Sequence, residues 1–516
     1  MTDIDKNDFG ASELVKDINP GKASSVATLT AFNDQLVFRA GDGVNGTELW
    51  VSDGTNSGTK LLKDINPGSD SAFGGKGIPP TSFTIFDNKL FFSADDGNNG
   101  ESIWVSDGTN SGTKLFKEFS GYGFTPFNDK LFFSARGSSG LEPYVSDGTE
   151  AGTQLLKDIN NNSIGGNSFP SEYTVVNDKL FFSAEDETNG DALWVSDGTE
   201  DGTQLVKDIN PDGNSFISNL TAANDKVFFS ADDGTNGDEL WVSDGTNSGT
   251  QLVKDINPGD DSSSPIYLTE YNDKVYFNAF DAEKASNLWV TDGTPDGTQL
   301  FKEIGYPYRL TVFDDKLFFM ADDGINGTEL WVSDGTQEGS QLFKDINPGS
   351  DSSFSYPSIP VAKPFTVSGD KMFFSADDGT NGEQIWVTDG TEEGTERLSD
   401  INPERGISNL DNLTVVDDKL FFTADEDATG EELWKLDLNS SISVNQINGT
   451  VDDDEIKGDG GDDSVEYTGS RSDFTIQGSV DNFTLSSCGI GTDTLIDIGF
   501  LKFDDGLVAV DNSLFT

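Results

Sequence analysis

The chain has no histidine and a single cysteine, Cys488, in 516 residues. Without histidine there is no imidazole base and no serine–histidine–aspartate triad. One cysteine forms no disulfide within the chain, and a zinc site of cysteine and histidine is excluded. Basic residues are also scarce, 32 against 92 acidic ones, for a formal charge of −60. A surface of that sign repels nucleic acid and anionic lipid. Cations are therefore the expected partners, and neither nucleic-acid binding nor membrane insertion is expected. The six arginines (39, 136, 309, 397, 405, 471) are scattered and form no clustered carboxylate clamp. No apolar run approaches the roughly 20 residues that cross a bilayer. The opening stretch MTDIDKNDFGASELVKDINP lacks the basic and apolar segments of a secretory leader. This implies a cytosolic protein, or one exported through a signal elsewhere in the chain.

What is present is repetition. Hydrophobic residues make up 34% and aromatic ones 11%, with 38 Phe and 8 Trp, enough to build a core. An aromatic anchor precedes "VSDGT" or a close variant nine times: Trp50, Trp104, Tyr144, Trp194, Trp241, Trp289, Trp331, Trp386 and Trp434. Each unit carries four short extended runs, here named strands A to D. In the fifth unit they are NLTAAN, DKVFFSA, DELWVSD and TQLVKDI. Asn-Asp or Asp-Asp links A to B, Asn236-Gly237 lies between B and C, and Asp244-Gly245 between C and D. Such pairs tolerate positive φ and close tight hairpins, so each unit reads as an antiparallel meander.

Adjacent aromatics such as Phe228-Phe229 point to opposite faces of a strand. Both faces of each small sheet must then be covered by neighbouring units, which leaves a closed propeller or an open solenoid. The phase of the repeat decides between them. The first strand-like segment, ELVKDINPG at 13–21, is a D strand with no A to C before it, while the ninth unit stops after its C strand. Only a ring needs that shift. The expectation is an all-β, closed nine-bladed propeller over 13–438, its last blade completed by the N-terminal strand, between a tail at 1–12 and a small β-rich region at 439–516. Eight blades is the alternative if unit three, with Pro143-Tyr144 in place of Leu-Trp, packs irregularly.

The B–C and D–A connections collect on one rim, which is acidic. Asp232, Asp233, Asn236 and Glu239, with the matching Asp322, Asp323, Asn326 and Glu329, are hard oxygen donors at a spacing a calcium loop could use. The same spacing also suits a tight turn flanked by solvated acids. Asp244 and its equivalents in "SDGT" read as architectural, holding the turn's amides. Lysines in strand D, such as Lys16, Lys254 and Lys344, have to pair with an adjacent strand or blade. The D–A loops vary most, and variable loops on a rigid scaffold are where binding resides. Tyr306, Tyr308 and Arg309, or Phe354 and Tyr356, are candidates there for contacting a sugar or a protein. Carboxylate pairs for glycoside hydrolysis cannot be singled out among so many acids.

After Trp434 the pattern changes. Two stretches, Gly449 to Lys457 and Gly458 to Glu466, follow G-G-x-G-x-D-x-U-x, with Asp454 and Asp463 at the acidic position and Ile456 and Val465 at the apolar one. They resemble the nonapeptides of the RTX calcium-binding β-roll, and Thr450, Asp452 and Asp459 depart from its glycines. The residues beyond resemble the C-terminal regions of proteins exported by type I secretion. The phrases ELWVSDGT and GTQLVKDINPG resemble the ELWxxDGT repeat proteins of bacteria, often labelled hyalin-like, across most of 13–438. These resemblances imply a secreted or cell-surface, non-enzymatic calcium-binding protein acting in structural, adhesion or matrix contacts, with cell-surface polysaccharide or further copies of itself as partners. A secreted lectin or carbohydrate-active enzyme is the alternative.

Overall fold

The structure, a computed structural model, describes residues 9–68, 71–73, 83–161, 166–349, 351–354, 365–398, 410–426 and 429–438, and the strands of 439–516. Among the described residues every regular element is a β-strand. The chain divides into two compact units, Met1–Ile4 with Ser12–Lys435, and Asp5–Ala11 with Leu436–Thr516.

The first unit is a nine-bladed β-propeller. Each blade is an antiparallel four-stranded sheet in the order A-B-C-D. Blade 5, for example, consists of Ser218–Ala223, Lys226–Asp232, Asp238–Ser243 and Gln251–Lys254. Blade 3 keeps the pattern despite Pro143-Tyr144, with Gln154–Leu155 as a two-residue D strand, so nine is the count. The ninth blade takes A to C from Asp411–Val416, Lys419–Glu426 and Gly430–Asp437, and its fourth strand from the chain's first, Glu13–Lys16. Glu13 lies opposite Lys435 and Leu14 opposite Trp434.

Burial follows from the paired aromatics. Phe228 and Phe229 are 1% and 0% exposed. Phe229 packs with Val206 and Ile209 of blade 4, whereas Phe228 packs with Val275, Phe277 and Trp289 of blade 6. Every sheet thus belongs to two cores, and each fully buried Phe contributes about 1.5–3 kcal/mol. The A–B turns form as the sequence implies: Asn224 and Asp225 have φ of 51° and 59°, the conformation of a type I′ hairpin. The B–C connection differs. Asn236 is not left-handed; Gly234 and Gly237 take positive φ instead, at 77° and 69°.

Three kinds of bond join neighbouring blades. A threonine occupies the same place in all nine A strands, from Thr30 to Thr414. In five blades its hydroxyl donates to the next inner strand, among them Thr174 to the Leu220 carbonyl at 3.2 Å, Thr366 to that of Leu413 at 2.9 Å, and, across the seam of the ring, Thr414 to that of Leu29 at 3.5 Å. At the outer edge the D-strand lysines donate to the C–D turn of the next blade. Lys254 reaches the Thr298 carbonyl at 2.8 Å, and Lys16 that of Thr59 at 2.8 Å across the seam. B-strand lysines add a second clasp, as Lys179 does to the Asp244 carbonyl at 2.8 Å.

The second unit contains two four-stranded sheets. Ile447–Asn448 pairs in parallel with Ser464–Glu466, with Ile447 opposite Val465. Leu485 and Leu495 are buried.

Candidate functional site

The rim formed by the starts of the A strands and the B–C loops carries most of the residues singled out above. In blade 5, Asp232 accepts the Gly234 amide at 2.7 Å. Asp233 accepts the amides of Thr235 and Asn236, each at 2.8 Å, and the Asn236 side-chain amide at 2.8 Å. Asp322, Asp323 and Asn326 repeat this in blade 7. These carboxylates close their own loop. The amides hold Asp323 below the usual carboxylate range despite its partial burial.

Glu239 and Glu329 lie elsewhere. Both are 0% exposed. Glu239 accepts the amides of Ile256 (3.0 Å), Asn257 (3.2 Å) and Ser263 (3.1 Å) and the Ser263 hydroxyl (2.6 Å). Glu329 does the same with Ile346 (2.9 Å) and the Ser353 hydroxyl (2.5 Å). The glutamate of "ELW" therefore anchors the D–A connection of its own blade from within. Burial pushes Glu48, Glu239, Glu329 and Glu432 up to about 7, against the opposing pull of the amides. The eight blade residues proposed as ligands from their spacing thus separate into an exposed turn and a buried anchor. Among the described residues no three acidic or cysteine side chains converge in a way that could hold a metal ion. Asp454 and Asp463 lie outside the described residues.

In the C–D turn, Asp244 accepts the amide (2.8 Å) and hydroxyl (2.7 Å) of Thr246, which lower its pKa. Its role is the architectural one that the sequence suggested. Of the loop candidates, Tyr306 is 56% exposed, Tyr308 is core, and Arg309 stacks over the Tyr308 ring at 6.0 Å. Phe354 is buried. Tyr356 lies outside the described residues.

Apart from Tyr306, the sequence reading missed the members of an arc of exposed rings on this rim. Phe169, Phe216 and Tyr306 stand at the same place, five residues ahead of the A-strand threonine, in blades 4, 5 and 7, each in the left-handed region at φ 45–47°. They are 47%, 65% and 56% exposed. Blade 6 has Ser264 there, and supplies Phe280, 43% exposed, from its B strand instead. The Phe280 amide donates to the Ser263 carbonyl at 2.8 Å. In blades 4 and 5 the same bond is made by acidic residues. The Glu185 amide donates to Ser168 at 2.7 Å, and that of Asp232 to Ser215 at 2.8 Å, one residue before each ring. Asp191 reaches across from blade 4, accepting the Ile217 amide at 2.8 Å beside Phe216. Aligning the nine units shows the shared aromatic position, but its exposure depends on the left-handed backbone.

No family model and no curated protein matches the chain. Solved structures do, at the level of fold. A puromycin hydrolase matches at 11% identity and a TM-score of 0.38, over 81% of this chain and 61% of that one. A Mycobacterium tuberculosis puromycin-hydrolyzing peptidase matches at 9% and 0.40, over 95% and 69%. Prolyl oligopeptidase B from Galerina marginata matches at 11% and 0.36, over 72% and 56%. This chain spans 61% of the length of the first of these. The names of all three are those of peptidases or hydrolases, against the expectation of a non-enzymatic structural, adhesion or matrix protein; likeness at these TM-scores carries no role over to this chain. The 516 residues hold no histidine, so a serine–histidine–aspartate triad is not assembled from this chain alone.

Proposed function

We propose that the propeller is a recognition module that binds an extended cationic polypeptide along the rim of blades 4 to 7. One observation carries the reading: four exposed rings, Phe169, Phe216, Phe280 and Tyr306, in a row among acidic loops. Exposed aromatic faces attract ammonium and guanidinium groups, and a chain of charge −60 draws cations toward them from a distance. The inner strands of blades 4 to 7 are successive neighbours, so the arc is continuous. Titration with an alternating Lys-Gly peptide tests this. Phe216→Ser with Tyr306→Ser, which leave the charge unchanged, are expected to weaken binding about tenfold, as two aromatic contacts of about 0.7 kcal/mol each require. Equal affinity for the double variant and the parent would reduce the interaction to non-specific charge.

Calcium is proposed for the second unit alone. Support comes from the parallel register of Ile447 with Val465, two nonapeptide lengths apart, from the placement of Ile456 and Val465, the apolar positions of the two nonapeptides, in two different sheets, and from the resemblance around Asp454 and Asp463. Export through a C-terminal signal, with an extracellular location, belongs to the same proposal. A chelator should change the amide exchange of residues 447–466; no change there removes calcium.

A further inference from the structure

The opposite mouth of the channel, at the A–B turns, has a different character. The penultimate positions of the A strands are apolar in every blade but the sixth, where Glu270 stands. Ile85, Val175, Val312 and Val367 are 43%, 36%, 41% and 46% exposed there, in a chain whose surface is otherwise dominated by carboxylates. Each A–B turn adds at least one aspartate beside them, such as Asp34 after Ala31 and Asp417 after Val415.

Over blade 1, between blade 9 and blade 2, this collar opens into a cavity of about 290 Å³. The reason is in the side chains: blade 1 has Ala31 where its neighbours have Ile85 and Val415. Ala31, Ile85 and Val415 line the cavity, and Asp34, Asp417 and Asn88 also border it. Among the described residues its lining holds no basic side chain. An apolar floor of this size takes a short aliphatic chain, and two carboxylates in a lining without a basic side chain take a cationic head.

We propose that this cavity binds a free aliphatic ammonium, with its alkyl chain against Ala31, Ile85 and Val415 and its head between Asp34 and Asp417. The site is independent of the aromatic rim, and either can fail without the other. Blade 5 also has an alanine at this height, Ala222, but one of its neighbours is Glu270; Ala31 is the alanine with longer apolar side chains on both sides.

Calorimetric titration of the whole chain with alkyltrimethylammonium ions tests the assignment. Affinity should rise about fourfold per methylene from butyl to hexyl, as burial of each CH₂ requires. Tetramethylammonium and hexyl sulfate should bind at least tenfold more weakly than the hexyl cation. Ala31→Phe, at an exposed position, should erase the chain-length dependence while leaving the weak tetramethylammonium binding. The pair Asp34→Asn and Asp417→Asn should weaken the hexyl cation about tenfold. Should Ala31→Phe fail to fold, Ile85→Ser is expected to reduce the same dependence. Affinity independent of chain length, hexyl sulfate binding as well as the cation, or full affinity in Ala31→Phe would each overturn the proposal. A lysine tripeptide binding more tightly than the hexyl cation would also overturn it, by making the ligand a polypeptide. Phe216→Ser should leave the chain-length dependence unchanged.

Discussion

Leu14, in the first strand of the chain, lies opposite Trp434, in the C strand of the last blade. That pairing turns a row of nine modules into a ring, and it places Val15, 3% exposed, in one core with Leu36 and Phe38 of blade 1 and Phe421 and Leu433 of blade 9. Two sheets lose their cover if it opens. Val15→Asp buries an unpaired charge at the seam and should cost about 3 kcal/mol, seen as a lower denaturation midpoint. Glu13→Ser, removing a largely exposed partner of Lys435, should stay within about 0.5 kcal/mol. Equal effects from the two would mean that the seam is not held by this strand.

The lysine clasps predict a difference between two lysines of similar chemistry. Lys254 donates to the Thr298 carbonyl and lies over the Trp289 ring at 5.9 Å. Lys60, at the first position of its D strand, is exposed. Lys254→Met should lower stability by about 1–2 kcal/mol, through a lost charge-assisted bond and a lost ring contact. Lys60→Met should change it by less than about 0.5 kcal/mol. Urea denaturation of the two variants measures the contrast.

Opposed pKa shifts set the pH profile. Glu48, Glu239, Glu329 and Glu432 rise from an ordinary 4.5 to about 7 on folding. The folded chain then holds more protons than the unfolded one between those values, so stability falls as pH rises through the window and levels off above it. The turn aspartates, such as Asp244, shift the other way from 3.8; their contribution is complete above that value and is lost as pH falls below it. Thermal melts should therefore show a maximum at about pH 4–5. Glu239→Gln should lower stability at that maximum and make the decline toward neutral pH shallower. A melting temperature that climbs steadily from pH 5 to 7 would contradict the raised values.

Gly379 and Gly324 share a φ of +74° but not a neighbourhood. A Cβ on Gly379 would lie 2.2 Å from Oδ1 of Asn347, at the end of the preceding blade, while one on Gly324 meets nothing within 4 Å. Gly324→Ala should cost about 1 kcal/mol from backbone strain alone. Gly379→Ala adds the clash and should cost about 2–3 kcal/mol. Chemical denaturation of both separates the backbone cost from the inter-blade contact.

Much of this architecture is legible in the chain. Two adjacent phenylalanines require two covered faces, and the D-type strand at residue 13 ahead of any A strand requires a ring, because both follow from period two and from counting. The Asp-Gly of each C–D turn announces an acid that holds its own loop, as Asp244 does. The nine threonines of the A strands were equally visible, yet the bonds that five of them make to the next blade were not, since a strand pattern does not say which residue faces which neighbour.

The candidate sites were less legible, for a physical reason. Spacing placed Asp233, Asn236 and Glu239 in one loop, whereas the pleat sends Glu239 inward to the amides of a connection 17 and more residues away. Exposure of Phe216, burial of Tyr308 and the gap beside Ala31 depend on side chains brought in by adjacent blades. The sequence by itself determined the repeat, its phase and hence the closed ring, because hydrophobic period and chain order are local properties. Only the tertiary structure decided which acids are anchors, which rings face solvent and where the ring has room, because burial is a property of the neighbours a residue acquires on folding.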